Sequence, residues 1–167
     1  MKDGKFYTTV IERGQSNRND NNHKFLVSRI RGRWLDVGCN TGWLLEDVPN
    51  GTGIDSSEIV LAKAVRKGLP VVRAVAEILP FADKAFDLAV ISTVLQAVLN
   101  WKVVLVEARR VAQKVIGIAP RPGTEWGVLN GKHFWVQCVV PPEDIVSMGG
   151  AVNAVPGDDG TLYYFEI

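Results

Sequence analysis

Short apolar runs of strand length alternate with amphipathic, helix-like segments over most of the chain. Apolar runs bounded by turn residues predict buried strands, and apolar positions three and four residues apart predict helices packed on a sheet. The predicted strands are RWLDVG, GTGID, PVVRAV, FDLAVIS and KVIGIAP, at 33–38, 51–55, 70–75, 86–92 and 114–120. The predicted helices cover 23–30, 41–48, 56–68, 141–150 and part of 93–112, where a break is expected near Leu99 and Asn100.

The order of these segments predicts an α/β fold. Strands that are each followed by a crossover form a parallel, doubly wound sheet with helices on both faces. The C-terminal segment AVNAVPGDDGTLYYFEI predicts two strands joined by a turn, which add an antiparallel strand. We expect a single domain over residues 1–167. Within it, the polar residues 1–22 are predicted to form a lid or a flexible arm, and Tyr7 and His23 are placed on this N-terminal segment.

Composition and charge limit the classes of function. Of the 167 residues, 47% are hydrophobic, and the formal net charge of +1 creates no field that favours nucleic acid or anionic membranes. The two cysteines, Cys39 and Cys138, do not make a disulfide framework, and no Cys/His cluster indicates a metal. The N-terminus has no apolar signal-like run, and the longest apolar stretch, 86–99, is interrupted by polar residues. We therefore expect a cytoplasmic protein without a metal or a membrane span.

The turn after the first predicted strand indicates a ligand. Gly38 and Gly42 lack a β-carbon, so the backbone can take positive φ there and a ligand can lie directly against it. The next strand ends in Asp55, where an acid can accept hydrogen bonds from two ribose hydroxyls. Glycines that only permit tight helix–sheet packing, and an aspartate that only caps the following helix, are the alternatives. Together, in a strand–turn–helix–strand unit, these residues favour a nucleoside-binding site.

The spacing of the turn discriminates between nucleosides. The run GCNTG at 38–42 departs from the dinucleotide fingerprint G-x-G-x-x-G, because Asn40 stands at the middle glycine and the spacing differs. Asp36 would also place a negative charge close to a pyrophosphate. The same charge suits a ligand with a cationic amino group, so the sequence favours an adenosyl amino acid over NAD.

Three segments resemble class I S-adenosylmethionine-dependent methyltransferases of the short type often linked to small molecules. LDVGCNTG resembles the first motif of that family, usually L-D-x-G-x-G-x-G, and GIDSSEIVLAKA resembles its second-strand acid with the helix that follows. AEILPFADKAFDLAVISTVLQAV resembles the stretch from the third strand through the fourth. The resemblance covers roughly residues 34–119. It implies S-adenosylmethionine as cofactor and a Rossmann-like, mostly parallel seven-stranded sheet in the order 3-2-1-4-5-7-6, closed by an antiparallel strand.

The same resemblance implies a set of cofactor-binding residues. The turn and the acid before it would frame the methionine part, and the acid after the second strand would hold the ribose. The loop after the third strand would lie along the adenine, and the end of the fourth strand, Ile91 and Ser92, would face the sulfonium. The implied set is Asp36, Gly38, Cys39, Asn40, Gly42, Asp55, Ser56, Ala76, Glu77 and Ser92.

The sequence departs from the family pattern at three places. Asn40 replaces a glycine of the first motif, Val75 stands where an acid commonly reads the adenine amino group, and the P-G-G often found before the fifth strand is absent. Glu77 is the alternative source of the adenine contact. Cys39 is interpreted as a small packing residue rather than a nucleophile, because no base is adjacent in the sequence.

Methyl transfer from a sulfonium depends mainly on the alignment of donor and acceptor, so it requires no fixed catalytic residue. For an acceptor that must lose a proton, His133 is the candidate base, and an ordinary loop histidine is the alternative. Trp126, Phe134 and Trp135 either line an acceptor pocket or pack the long connection onto the sheet.

The leading hypothesis is a methyltransferase that acts on a small molecule. The alternatives are an RNA or protein methyltransferase that works with a partner, and a non-catalytic S-adenosylmethionine-binding module. Asn40 and Val75 are the residues that favour the non-catalytic module. An NAD-dependent oxidoreductase is disfavoured by the missing middle glycine. The acceptor and the oligomeric state are not predicted.

Overall fold

A seven-stranded sheet forms the centre of the protein in a computed structural model, which describes residues 21–123, 138–157 and 160–167 together with the backbone of 128–129 and 132–133. Its strands along the chain begin with β1 (Trp34–Val37), β2 (Gly51–Asp55), β3 (Val71–Arg73), β4 (Phe86–Ser92) and β5 (Ala112–Pro120). The short strands β6 (Val128–Leu129) and β7 (Lys132–His133) pair only with each other. The chain then returns to the sheet with β8 (Ala151–Ala154) and β9 (Leu162–Glu166).

The strand order in the sheet is β3-β2-β1-β4-β5-β9-β8. The first five strands are mutually parallel, and β9 runs antiparallel to both of its neighbours. Apart from the separate β6–β7 ladder, this is the order 3-2-1-4-5-7-6, so the expected α/β fold with an antiparallel C-terminal strand is confirmed. The register places Asp36 of β1 between Gly53 of β2 and Val90 of β4.

Local signals in the sequence fix the helix ends. The helices are α1 (Asn21–Val27), α2 (Trp43–Asp47), α3 (Glu58–Arg66), α4 (Trp101–Val111) and α5 (Pro142–Ser147). Asn100 caps α4 because its Oδ1 accepts a hydrogen bond from the Val103 N–H at 3.4 Å. A 3-10 turn, Leu95–Ala97, precedes that cap, so the predicted break is confirmed. Among the described residues, no helix is long and apolar enough to cross a membrane.

The sheet separates two apolar layers. Buried residues of α4 and α5 pack on one face, against Leu35, Val37 and alternate residues of β4. Buried residues of α1, α2 and α3 pack on the other face, against Trp34 and Val90. Because side chains alternate along a strand, Asp36 shares the second face with Trp34 and points among apolar neighbours.

His23 belongs to the packed body of the protein, which corrects its placement on a lid. The residue lies in α1 and is buried, its Nε2 is 2.6 Å from Asp47 Oδ2, and its ring is 4.7 Å from the ring of Trp43. These contacts join α1 to both ends of α2. Tyr7 lies outside the described residues.

Candidate functional site

The turn between β1 and α2 lies against the carboxyl end of β2. The N–H groups of Gly38 and Cys39 both donate to the Ile54 carbonyl at 2.8 Å. Three residues of the turn are left-handed, with φ of +77° at Gly38, +53° at Asn40 and +80° at Gly42. Asparagine is among the few residues with a β-carbon that tolerate this conformation. Asn40 therefore keeps the backbone that the replaced glycine would adopt.

Contacts within the protein account for both glycines of the turn. A β-carbon on Gly38 would lie 2.5 Å from Val94 Cγ2, and a β-carbon on Gly42 would lie 2.3 Å from Leu69 Cδ1. The turn therefore packs closely on the loop after β4 and on Leu69, two residues before β3. Packing, which was the alternative interpretation of these glycines, is part of their role, so the evidence for a ligand comes from the charged residues beside them.

Asp55 holds the turn and the start of α3 together. Its Oδ2 accepts a hydrogen bond from the Asn40 N–H at 3.0 Å, and its Oδ1 accepts one from the Ser57 N–H at 2.9 Å. Burial raises the pKa of this carboxyl, while hydrogen bonds from backbone N–H groups oppose the rise. Each carboxylate oxygen has a second acceptor site, so the same group can also accept bonds from a ligand. Ser56, next to it, is exposed.

Asp36 is a buried acid without a full set of partners. The residue is 2% exposed, and its Oδ2 has no hydrogen-bond partner among the residues that the structure describes. Burial, and to a lesser degree the nearby charge of Asp55, raises the pKa of Asp36 to about 7. A buried polar atom without a partner is rare and requires an explanation. A cationic group bound at the turn would supply the missing donor and the balancing charge.

Cys39 is buried between the turn and β2. A β-carbon on Gly53 would lie 2.6 Å from its Sγ, so the thiol fills the space over that glycine. Burial, followed by the charges of Asp36 and Asp55, raises the pKa of Cys39 far above its usual range. A thiol in this state is a poor nucleophile.

The loop after β3 continues this edge of the sheet. The Ala74 N–H donates to the Asp55 carbonyl at 3.1 Å, which ties the start of the loop to the end of β2. A tight turn follows, in which Val75 and Ile78 form a bridge. It carries Ala76, which is buried, and Glu77, which is half-buried. This places both implied adenine-edge residues on a loop that is bonded to the backbone of Asp55.

The end of β4 approaches the turn from the other side. Ser92 is half-buried, and the residue after it, Thr93, has a φ of +55° and donates its N–H to the Ile118 carbonyl at 2.8 Å. The sharp bend at Thr93 directs the chain so that Val94 contacts Gly38. Gln96 is buried just beyond, and its Nε2 donates to the Thr93 carbonyl at 2.6 Å.

The structure thus places the implied residues of β1 to β4 along one edge of the sheet. The positions of the candidate side chains in the connection after β5 are not determined. The backbone of His133 lies in β7, opposite Val128, but its side chain is outside the described residues, as are Trp126, Phe134 and Trp135. Sequence reasoning missed Val94 and Gln96. Neither residue type marks a site, and their positions follow the bend at Thr93 and the 3-10 turn after it.

A family model connects this edge to known proteins. The model described as "Methionine biosynthesis protein MetW" matches residues 18–132. The chain belongs to the MetW family. A curated relative, uncharacterized protein MJ1123 of Methanocaldococcus jannaschii, is 36% identical over 95 residues, which are 54% of this chain and 46% of the relative. The chain therefore spans about half the length of the curated relative it matches.

Solved structures share the fold of this chain at low sequence identity. A Thermotoga maritima protein, solved as an S-adenosylmethionine-dependent methyltransferase and possible histamine N-methyltransferase, is 18% identical with a TM-score of 0.76, and 97% of each chain is covered. A Haloferax volcanii putative methyltransferase, solved in complex with the Trm112 methyltransferase activator, is 14% identical with a TM-score of 0.75, and 96% of each chain is covered. The class I methyltransferase fold expected from the sequence motifs is confirmed.

Proposed function

We propose that this MetW-family protein is an S-adenosylmethionine-dependent methyltransferase whose cofactor lies on the turn between β1 and α2. The observation that carries the proposal is Asp36 beside that turn, a buried carboxyl whose Oδ2 has no hydrogen-bond partner in the described part of the chain. S-adenosylmethionine is also the cofactor of the methyltransferases whose fold the chain shares. The ammonium of its methionine part is the kind of group that such a carboxyl lacks.

The remaining contacts of the cofactor would come from residues along the carboxyl edge of the sheet. Asp55 would accept hydrogen bonds from the ribose hydroxyls through its free acceptor sites, and Ala76 and Glu77 would flank the adenine. Ser92, at the end of β4, would face the sulfonium. The bound cofactor supplies an electrophilic methyl group, and the protein holds it against the acceptor. Alignment alone can contribute roughly 7–11 kcal/mol to such a transfer.

The acceptor in this proposal is a small molecule. The formal net charge of +1 supports it, because affinity for RNA depends largely on cationic side chains that neutralise phosphates. His133 stays the candidate base for an acceptor that must lose a proton. A protein or RNA acceptor reached with a partner is the second candidate, since the Haloferax volcanii protein is complexed with an activator.

Residues 1–22 are proposed to cover the bound cofactor. Asn21 Nδ2 donates to the Gly157 carbonyl at 3.0 Å, in the turn between β8 and β9 at the carboxyl edge of the parallel strands. Asn21, which follows this segment in the chain, therefore lies at the same edge of the sheet as the proposed site. Deleting residues 1–20 should speed ligand dissociation without lowering the melting temperature, and an unchanged dissociation rate would argue against this role.

Calorimetric titration tests the cofactor and the role of Asp36 together. The ligands are S-adenosylhomocysteine, its deaminated analogue with the carboxylate retained, and NAD. Because charged hydrogen bonds contribute about 1.5–3 kcal/mol, the natural ligand should bind roughly 10- to 150-fold more tightly than the deaminated analogue. Asp36→Asn should bind both about equally. Tighter binding of NAD, or the same preference in the variant, would contradict the proposal.

A further inference from the structure

Two residues of α4 form a bidentate ion pair at the back of the loop after β3. Arg110 Nε donates to Glu107 Oε1 at 2.8 Å, and Arg110 Nη2 donates to Glu107 Oε2 at 2.9 Å. Both side chains are partly shielded from solvent. The arginine lowers the pKa of Glu107, so the carboxylate stays charged at neutral pH.

The ion pair also forms hydrogen bonds with the backbone of the loop. Glu107 Oε2 accepts a hydrogen bond from the Leu79 N–H at 3.0 Å, and Arg110 Nη2 donates to the carbonyl of the same residue at 3.0 Å. Arg110 Nη1 reaches the Phe81 carbonyl at 2.8 Å. Both backbone groups of Leu79 are therefore fixed by one ion pair, whose planar guanidinium matches several acceptors at once.

The turn that carries Ala76 and Glu77 lies between two anchors. On one side, Ala74 is bonded to the Asp55 carbonyl at 3.1 Å, and on the other side the ion pair holds Leu79. Ile78, between the anchors, is 73% exposed, so burial of this side chain does not hold the turn in place. Ala76 and Leu79 are buried in the apolar layer that includes α4, and the hydrogen bonds to Glu107 and Arg110 additionally fix the backbone of Leu79.

We propose that Glu107 and Arg110 are positioning residues for the nucleoside base: they hold the 75–78 turn at the distance from Asp55 that the base and ribose require. This inference rests on the proposed S-adenosylmethionine site. Neither residue touches the ligand. Their effect is on affinity, because a turn that moves must be ordered again when the base binds.

Arg110→Lys is the main test, and Arg109→Lys is its matched control. Lysine keeps the charge but loses the fork that reaches both Glu107 oxygens, Asp83 Oδ1 and the carbonyls of Leu79 and Phe81. Arg109 is the neighbouring residue of the same helix and contacts the Met148 carbonyl at 3.2 Å, in the connection after α5 and not in the loop. Dissociation constants for S-adenosylhomocysteine and 5′-methylthioadenosine are measured well below the melting temperature of each variant, with hydrogen exchange at the Leu79 amide.

Arg110→Lys should weaken both ligands by about tenfold, which is about 1.4 kcal/mol, and accelerate exchange at Leu79. Glu107→Gln should largely restore the affinity lost in Glu107→Ala, because the amide oxygen still accepts from the Leu79 N–H. Arg109→Lys should match the wild type. Wild-type affinity in folded Arg110→Lys would overturn the positioning role alone. Failure of the wild type to bind either ligand would overturn the proposed function as well.

Discussion

The Asp55 carboxylate accepts a hydrogen bond from the backbone N–H of Asn40 at 3.0 Å, and so joins the end of β2 to the left-handed turn after β1. The other oxygen of the same carboxylate accepts from the Ser57 N–H at 2.9 Å. One side chain thus joins the turn to the start of α3, and its remaining acceptor sites are those that the proposed ligand would use. This arrangement makes affinity and stability respond together when Asp55 is changed.

Asp55→Ala should reduce both the affinity for the ligand and the stability of the fold. Loss of charged hydrogen bonds costs about 1.5–3 kcal/mol, so S-adenosylhomocysteine should bind roughly 10- to 150-fold more weakly and the melting temperature should fall. Asp55→Asn should retain more stability, because its amide oxygen still accepts from the Ser57 N–H. Titration calorimetry measures the affinity, and thermal denaturation measures the melting temperature. The control is Glu58→Gln, which changes an exposed acid three residues further on. Equal affinities for Asp55→Ala and this control would contradict the ribose contact.

Ligand affinity should rise with pH below about 7, the pKa of Asp36 without ligand. The ammonium of the ligand favours the carboxylate, so binding below this pH must release a proton, and affinity approaches a change of about tenfold per pH unit. Calorimetry between pH 5.5 and 8, in buffers of different ionisation enthalpy, measures the affinity and the proton release. Affinity in Asp36→Asn should be much flatter over this range. A pH-independent wild type would show that Asp36 does not face the ligand charge.

Stability of the unliganded protein should change with pH in the opposite sense. Between pH 4 and 7 the folded state keeps a proton on Asp36 that the unfolded chain has released, because the pKa is raised from 3.8 to about 7 on folding. The free energy of unfolding therefore falls as pH rises through this window, by at most about 1.4 kcal/mol per pH unit for this group. Urea denaturation of wild type and Asp36→Asn should show a smaller fall in the variant. The same pH dependence of the free energy of unfolding in both proteins would contradict the raised pKa of Asp36.

Gly38→Ala should destabilise the protein through two separable effects. The left-handed backbone costs about 1–2 kcal/mol with a β-carbon, and the contact with Val94 adds to it. The double variant Gly38→Ala/Val94→Ala should recover only the part of the stability that is lost through the contact with Val94. Urea denaturation of the two single variants and the double variant measures the coupling. If the stability changes of the two single variants simply add, Val94 moves away from the new β-carbon at no cost.

Asn40→Gly should leave both folding and binding close to wild type. Asn40 acts through its left-handed backbone and its N–H to Asp55, and glycine provides both. Asn40→Val, in contrast, should lose roughly 1–2 kcal/mol of stability, because a branched side chain opposes positive φ. Denaturation curves and S-adenosylhomocysteine titrations of the two variants are the measurements. A large loss of affinity in Asn40→Gly would instead indicate that the amide side chain binds the ligand.

Local patterns were sufficient for the main helices and strands of the sheet, and the family resemblance supplied the strand order. Continuous apolar runs predicted the parallel strands, Asn100 marked the start of α4, and Gly68, with a φ of +74°, marked the end of α3. Each of these signals acts within a few residues, so the sequence contains it directly.

The parts that were not predicted are contacts between distant segments. Val94 against Gly38 depends on the bend at Thr93, and a non-glycine residue with positive φ is rarely foreseeable. Glu107 and Arg110 show the three-residue spacing of a helical ion pair, but the sequence does not state which loop they hold. That Asp36 Oδ2 lacks a partner among the residues the structure describes emerges only once the surrounding layers are assembled.

The most direct test of the account is to map S-adenosylhomocysteine onto backbone amides by NMR, which suits a chain of 18.3 kDa. The largest shift changes are expected in three segments from different strand ends, namely 36–42, 55–57 and 74–79. Changes confined to other parts of the chain, or no saturable change in the folded protein, would contradict the proposal that the cofactor lies on the turn between β1 and α2.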